Sequence, residues 1–238
     1  MSLSLSGYLS ICLVASLCVC RVIVWGARNL SFKSIGKEYV DAMVRCTLDC
    51  TSYRGSQPAS QQTDVHYFSK TGSAIFNWRM VFSRIAMPVS TCILQIAAYD
   101  FRNIGQPAFI GEVNLELRRY LERVANTLNA IDVDSELRLI NRSKETPDVG
   151  SFGYVQVTLQ FLSQSEATSK AVGLGRDAPN RDPRLTTPQE GRKWEDVLGS
   201  LGLRVDYRPL WFWVRVTAVV LLSIWAFIVA FLYPSLLA

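Results

Sequence analysis

Residues 154–162 have the sequence YVQVTLQFL, in which Val155, Val157, Leu159 and Phe161 alternate with mostly polar residues. Successive side chains of a β-strand point to opposite faces. The alternation therefore predicts a strand with one face in a hydrophobic core and the other towards solvent. It is the cleanest pattern of this kind in the chain, and it indicates a β-rich domain.

Seven further stretches have strand-like composition, and most of them are bounded by Gly, Pro, Ser or Asn. With residues 154–162 they predict eight short strands over about 145 residues, which indicates an all-β antiparallel sandwich. Apolar residues at helical spacing predict one inserted amphipathic helix around residues 117–128. The seven stretches are 20–26, 40–48, 63–68, 76–82, 92–99, 109–117 and 136–140, and the helical positions are Leu115, Leu117, Leu121, Val124 and Leu128.

A second strong signal lies near the C-terminus, where residues 216–232 (VTAVVLLSIWAFIVAFL) contain no charged residue. Extended to residue 237 the stretch holds 22 residues, and at about 1.5 Å per residue it can cross roughly 30 Å of hydrocarbon. A buried core helix is the alternative, but such a helix usually carries a polar stripe. We therefore expect a single C-terminal transmembrane helix that acts as a tail anchor.

The residues that flank this stretch predict its orientation. Aromatic residues are enriched at both membrane interfaces, and basic residues are enriched on the cytosolic side. The basic residues here lie only before the apolar stretch, so we expect the rest of the chain to face the cytosol, in a membrane that the sequence does not identify. The expected interface residues are Trp211, Trp213, Arg215 and Tyr233, with Arg204 and Arg208 as further basic residues.

The N-terminal residues 8–20 (YLSICLVASLCVC) are also apolar, and they allow three interpretations. Their length matches the core of a signal peptide, but no basic residue precedes them. The strand-like residues that follow favour a packed extension over a signal sequence or an anchor. The predicted organisation is an apolar extension (1–17), a sandwich (18–163), a Pro-containing linker (164–209) and the anchor (210–238).

Composition narrows the function classes. The net charge of +5 suits a surface near anionic lipid and is too small to indicate nucleic-acid binding. With one histidine, His66, and no GxSxG, CxxC, P-loop or paired-carboxylate motif, we predict no enzyme, no cofactor and no small-molecule substrate. The six cysteines lack zinc-site spacing, and we expect reduced thiols in a cytosolic domain.

Several motifs resemble the last cytosolic C2 domain and the C-terminal anchor of a ferlin. They are RVIVW at residues 21–25, TDVHY at 63–67 and FNWRMVF at 76–82, with a Thr71-Gly72 turn between the last two. GLGR at 173–176, followed by Pro179-Asn180 and Asp182-Pro183, is similar to the segment that ferlins carry ahead of their membrane helix. The resemblance implies a C2-type sandwich, in either a short family relative or a fragment.

The resemblance also implies where a calcium site would lie. Calcium-binding C2 domains use aspartates from two loops, since Ca²⁺ takes some 6–8 oxygen ligands. Asp41 and Asp100 match ligand positions, but Arg102 and Ala108 stand where the family has acidic ligands. A fixed positive charge repels the ion, so we expect no metal site. Asp41 and Asp100 are expected to pair with Arg102, Lys33 or backbone amides instead.

Lys33, Lys37 and Arg102 have two interpretations, as solvated loop charges or as a cationic tip that contacts anionic headgroups. The function prediction is a tail-anchored, non-catalytic C2-domain protein that acts in membrane tethering, vesicle traffic or fusion. It would act through lipid and protein contacts and without calcium. The alternative is a structural accessory subunit of a large membrane complex, in which the sandwich is a packing scaffold.

Overall fold

The computed structural model describes residues 16–31, 38–52, 55–56, 58–102, 105–141, 152–191 and 207–232. The chain divides into two units, residues 1–194 and 195–238, and each is described by itself. The first unit contains the strands β1 (Leu17–Arg28), β2 (Val40–Ser52), β3 (Gly55–Ser56), β4 (Ala59–Gln62), β5 (His66–Ser69), β6 (Ala74–Ala86), β7 (Val89–Asp100), β8 (Ala108–Glu116), β9 (Ile131–Arg138) and β10 (Tyr154–Ser163). Its helices are α1 (Arg118–Thr127) and α2 (Gln164–Ser169), and the second unit contains α3 (Tyr207–Leu232).

The strands form two antiparallel sheets. One sheet has the order β6-β1-β10-β9, and the other has the order β3-β2-β7-β8, with β4 and β5 also paired to β2. Each of these strand pairs is antiparallel. In β10 the predicted face, Val155, Val157, Leu159 and Phe161, lies in the hydrophobic core. The other face was expected to be solvated, but Thr158 and Gln160 are buried as well. The predicted all-β antiparallel sandwich is confirmed.

The structure describes ten strands, not the predicted eight, and the extra strands lie beside β2. Three short strands, β3, β4 and β5, pair with β2 in turn. Pro58 separates β3 from β4 and has no N–H to donate to a strand partner. The predicted strand 63–68 is wrong in its first half, because the Thr63 hydroxyl accepts a hydrogen bond from the Val44 N–H (3.1 Å) and β5 begins only at His66.

Two other boundaries differ from the prediction. The last strand before β10 was expected at residues 136–140, but β9 runs from Ile131 to Arg138 and its side chains alternate between half-buried and exposed. An edge strand buries its apolar face only partly, so its polar alternation was missed. Helix α1 lies where it was predicted, with Leu121 and Val124 buried. Leu128, expected on that buried face, instead ends the helix with a φ of 58° and is 63% exposed.

The cysteines depart from the expectation of reduced thiols. Cys50 on β2 and Cys92 on β7 are disulfide-bonded, because the register of the two strands places them directly opposite each other. Cys18, Cys20 and Cys46 are free and buried. Burial raises the pKa of Cys18 to about 11 and that of Cys20 to about 12, and it raises the pKa of Cys46 as well.

Residues 164–191, called the strap below, pack against the first sheet. Gly175 in the strap forms a backbone bridge with Arg79 in β6, and Leu185 is only 3% exposed. The Arg21 side chain in β1 donates to the carbonyl oxygens of Ala167 (3.3 Å) and Lys170 (2.6 Å). The strap is therefore held on the sandwich, while the predicted domain boundaries stay predictions.

Helix α3 contains the apolar stretch for which the sequence predicts a membrane span. It covers Tyr207–Leu232, and its side chains are described for residues 212–225. Among the described residues, no helix combines the length and the hydropathy that a membrane crossing requires. Most described side chains of α3 are exposed, including the large apolar ones of Phe212, Trp213, Val214, Val219, Val220, Leu221, Leu222, Ile224 and Trp225.

Candidate functional site

The expected calcium positions Asp41 and Asp100 lie together at the end of the sandwich where β2 begins and β7 ends. Asp100 is the last residue of β7 and is fully buried. Its Oδ1 accepts a hydrogen bond from the Asp41 N–H at 2.9 Å. The Asp41 carboxylate in turn accepts from the Phe68 N–H at 2.8 Å, and the Asp41 carbonyl accepts from the Phe101 N–H at 2.7 Å. The two aspartates therefore join β2, the end of β5 and the start of the β7–β8 loop.

These contacts agree with one of the partners expected from the sequence. Backbone amides donate to both carboxylates, and hydrogen bonds to a carboxylate are stronger than those between neutral groups. In this arrangement the two carboxylates connect the backbones of β2, β5 and β7. Within the described part of the chain, no group of three or more His, Cys, Asp or Glu residues is placed to hold a metal.

The two substituted positions lie beside the aspartates. Arg102 is two residues beyond Asp100 and is exposed. Ala108 begins β8 and is the register partner of Asp100. Its side chain is a methyl group, which has no oxygen that could be a metal ligand. Lys33 and Lys37, the other members of the expected cationic tip, lie outside the described residues.

The structure adds aromatic residues that the sequence analysis did not single out. Tyr39 and Phe68 pack with ring centroids 4.4 Å apart, and Tyr67 meets Phe101 edge to face at 6.3 Å. The Lys70 ammonium lies 5.3 Å from the centre of the Phe68 ring. All four aromatic residues are half-buried. The sequence could have indicated these aromatic residues through their proximity to the aspartates. Tyr39 lies two residues before Asp41, and Phe101 directly follows Asp100.

A half-buried aromatic cluster with exposed cations suits a water–lipid or water–protein boundary. Aromatic rings tolerate one apolar and one wet side, and lysine and arginine side chains are attracted to anionic headgroups. At this end of the sandwich, Lys70 and Arg102 are exposed cations beside the rings. This end of the sandwich therefore combines aromatic rings with exposed positive charge.

The ferlin-like motifs meet at a second place, where the strap crosses β6. The Arg79 side chain is fully buried and donates to the carbonyl oxygens of Arg181 (2.7 Å) and Pro183 (2.6 Å). Burial lowers the pKa of Arg79, nearby Arg21 lowers it further, and Asp182 opposes both effects. Arg79 therefore holds the strap on the sheet.

Another strap residue, Arg176 of the GLGR motif, contacts residues of the TDVHY and FNWRMVF motifs. Its guanidinium pairs with the Asp64 carboxylate and donates to the Phe76 carbonyl at 2.7 Å. It also lies 4.8 Å above the centre of the Trp78 ring. Trp78 is half-buried and packed against the core. These motif residues therefore hold the strap on the sheet. They are different from the residues described around Asp41 and Asp100.

Three of the expected interface residues, Trp211, Trp213 and Arg215, belong to α3. Trp213 is 62% exposed and Arg215 is also exposed. The side chain of Trp211 and the whole of Tyr233 lie outside the described residues.

Comparisons with known proteins identify the family. Residues 18–130 match the C2 domain family model. Ferlin 2 of Toxoplasma gondii is 81% identical over 217 residues, which cover 91% of this chain and 15% of that protein. Ferlin 2 of Tetrahymena thermophila is 28% identical over 223 residues, which cover 91% of this chain and 13% of that protein. A C2 domain of plant extended synaptotagmin 1 superposes with a TM-score of 0.42 and 20% identity, covering 61% of this chain and 94% of that domain.

The chain spans about 15% of the length of the curated relatives it matches. The sandwich, the C2 model and these relatives lead to the same conclusion: the chain belongs to the ferlin family and contains a C2-type domain.

Proposed function

We propose that this chain is a membrane-tethering, non-catalytic C2 segment of a ferlin, anchored by residues 210–238 and active without calcium. The end of the sandwich that contains Asp41 and Asp100 contacts an anionic membrane, and contacts with protein partners strengthen this tethering. Such a segment serves vesicle traffic or fusion by holding two membranes close to each other.

The observation that supports this proposal is the hydrogen bonding of the Asp41 and Asp100 carboxylates. Both carboxylates accept hydrogen bonds from backbone amides, and Arg102 and Ala108 occupy the neighbouring positions of the family's acidic ligands. A site with two engaged carboxylates and an adjacent cation lacks the 6–8 oxygen ligands that Ca²⁺ takes. The exposed cations Lys70 and Arg102 instead favour direct attraction to anionic lipid.

The anchor rests on the sequence of residues 216–232 and on the exposure of α3. Exposed apolar residues along one long helix are stabilised by an apolar environment, and the interior of a bilayer is such an environment. The basic residues before the stretch favour a cytosolic location for the sandwich. Trp211, Trp213 and Arg215 would then lie at the near interface and Tyr233 at the far one.

A vesicle-clustering assay tests the tethering function. The full chain is reconstituted into neutral vesicles, which are mixed with a second set that contains phosphatidylserine, and clustering is followed by light scattering. We expect clustering in the presence of a calcium chelator, because the attraction comes from side-chain charge. It should weaken as salt is raised from low to physiological ionic strength, since salt screens exposed charges.

Matched variants locate the contact. Neutralising Lys33, Lys37 and Arg102 together to Gln should abolish most of the clustering. The control variant neutralises three exposed arginines outside these loops, Arg119, Arg123 and Arg184, and should cluster vesicles nearly as well as the original chain. Equal losses in both variants, or clustering only with calcium, would contradict the proposal.

A further inference from the structure

Cys50 and Cys92 are directly opposed on two neighbouring central strands. They are register partners in the β2–β7 ladder, and their Cα atoms lie 4.0 Å apart. The ladder is continuous from Ala42 to Thr51 on β2, so the backbone pairing keeps the two side chains next to each other on one face of the sheet when the bond is absent. A pair held in this way can gain or lose its bond without refolding.

The pair can be reached from solvent on one side only. Cys50 is half-buried and lines an open groove of about 620 Å³ between the β2–β4 edge and β6, whereas Cys92 is fully buried. Arg84 is the only charged residue among the described residues that line this groove. A cation in the groove attracts anionic disulfides such as oxidised glutathione. Cys50 is therefore placed to react with a soluble partner, and Cys92 is placed to react with Cys50.

The other described cysteines lack this access. Cys18, Cys20 and Cys46 are at most 1% exposed. Their pKa values are raised by burial, so they remain protonated near neutral pH, and the thiol form is a poor nucleophile. Selective oxidation at Cys50 follows from this contrast.

We propose that Cys50 and Cys92 form a reversible redox site that exchanges with a glutathione-type disulfide. The Cys50 thiolate attacks one sulfur of oxidised glutathione, the glutathione S–S bond breaks, and one glutathione thiolate leaves and takes up a proton. Cys92 then loses its proton and attacks the Cys50 sulfur, which releases the second glutathione. In total two protein thiols are oxidised to one disulfide, and one oxidised glutathione is reduced to two thiols.

The bond should change the stability of the sandwich. It joins residues 42 positions apart, and a cross-link of this length restricts the unfolded chain more than the folded one. The oxidised domain should therefore unfold at a higher temperature, by roughly 5–15 °C. This inference does not depend on the proposed tethering function, because it concerns a different end of the sandwich and a different chemistry.

Redox titration of the full chain in detergent tests the proposal. The chain is equilibrated in buffers of varied reduced-to-oxidised glutathione ratio, quenched with an alkylating reagent and analysed by peptide mass spectrometry. Cys50 and Cys92 should lose alkylation together as the ratio becomes more oxidising, while Cys18, Cys20 and Cys46 keep their state. A pair that stays fully alkylated, or fully bonded, at every ratio would overturn the proposal.

Two single variants separate the roles of the cysteines. Cys92→Ala should trap one glutathione on Cys50, because no second thiol resolves the mixed disulfide. Cys50→Ser should take up no glutathione at Cys92, because that thiol is buried, and it should lose the rise in melting temperature. Glutathione found equally on both variants, or on neither, counts against the site; if a variant fails to fold, the titration of the original chain still decides.

Discussion

The Arg176 guanidinium lies 4.8 Å above the centre of the Trp78 ring and also pairs with Asp64, 112 positions earlier in the chain. This contact joins the strap to two segments of the sandwich, and the strap itself lies beyond residues 18–130, which match the C2 domain model. The strap is therefore part of the folded domain in energetic terms, although it follows the last strand.

Replacing Arg176 should weaken the domain. Arg176→Ala removes a partly buried ion pair, a charged hydrogen bond to the Phe76 carbonyl and a cation–π contact, so we expect a loss of about 1–3 kcal/mol in the free energy of unfolding. Urea unfolding followed by the β-sheet circular dichroism signal measures it. Arg184→Ala, an exposed position of the same strap, should change stability little. Equal effects of the two changes would show that the contact contributes nothing.

Gly175 should be coupled energetically to Trp78. Its φ is +59°, and an added Cβ would lie 2.8 Å from the Trp78 ring, so Gly175→Ala introduces both backbone strain and a clash. We expect a loss of about 1–3 kcal/mol. The clashing atoms belong to the six-membered ring of the indole, which extends further than the ring of Phe. In a Trp78→Phe background the Gly175→Ala change should therefore cost less, and strictly additive losses in this double-mutant cycle would refute the contact.

The sequence predicted most of the strands but not which of them pair, and the reason is physical. Alternation reports which face of a strand is apolar, and in β10 that face lies in the core, so local pattern was enough to locate the strand. Burial of its other face at Thr158 and Gln160 was not predicted. The edge beside β2 was misjudged because Pro58 and residues 63–65 break the ladder without changing the composition much. The disulfide was missed because spacing along the chain says nothing about cross-strand register.

The candidate site was predicted only in part. Asp41, Asp100, Arg102 and Ala108 could be located from the ferlin resemblance, and the structure places them at one end of the sandwich. Their hydrogen bonds to backbone amides depend on how β2, β5 and β7 meet, which no local pattern encodes. The same is true of the contact between Arg176 and Asp64, because both residues lie in recognisable motifs but only the folded chain brings them together.

Calcium should leave the stability of this chain unchanged. Thermal unfolding should give the same midpoint with millimolar calcium as with chelator, because a ligand raises the midpoint only if it binds the folded state. Asp100→Ala should lower the midpoint in both conditions to the same extent, since it removes the acceptor for the Asp41 N–H. A calcium-dependent rise that Asp100→Ala abolishes would restore a calcium-sensing function.

Alkaline pH should destabilise the reduced chain. Burial raises the pKa of Cys18 to about 11 and that of Cys20 to about 12, while an unfolded thiol titrates near about 8.5. The stabilising effect is complete below the unfolded pKa and is lost as pH rises towards the folded values, because only the unfolded state ionises in that window. Each thiol should cost up to about 1.4 kcal/mol per pH unit above about 9.

Urea unfolding in reducing buffer between pH 8 and pH 10.5 measures this effect. Cys20→Ala is the matched control, since it keeps a small apolar side chain and removes the titrating group. Its stability should fall less steeply over the same range. Identical slopes for the two proteins would assign the alkaline loss to lysine and tyrosine residues instead.

The orientation of the anchor gives the last prediction. If residues 210–238 anchor the chain with the sandwich in the cytosol, the two sequons at Asn29 and Asn141 should stay unmodified when the full chain is made in the presence of microsomes. Asn29 is exposed with a φ of 54°, so it would accept a glycan readily if the domain were lumenal. Protease added outside the sealed vesicles should degrade the sandwich. A glycan on Asn29, removed by Asn29→Gln and accompanied by protection from protease, would reverse the topology and identify residues 8–20 as a signal sequence.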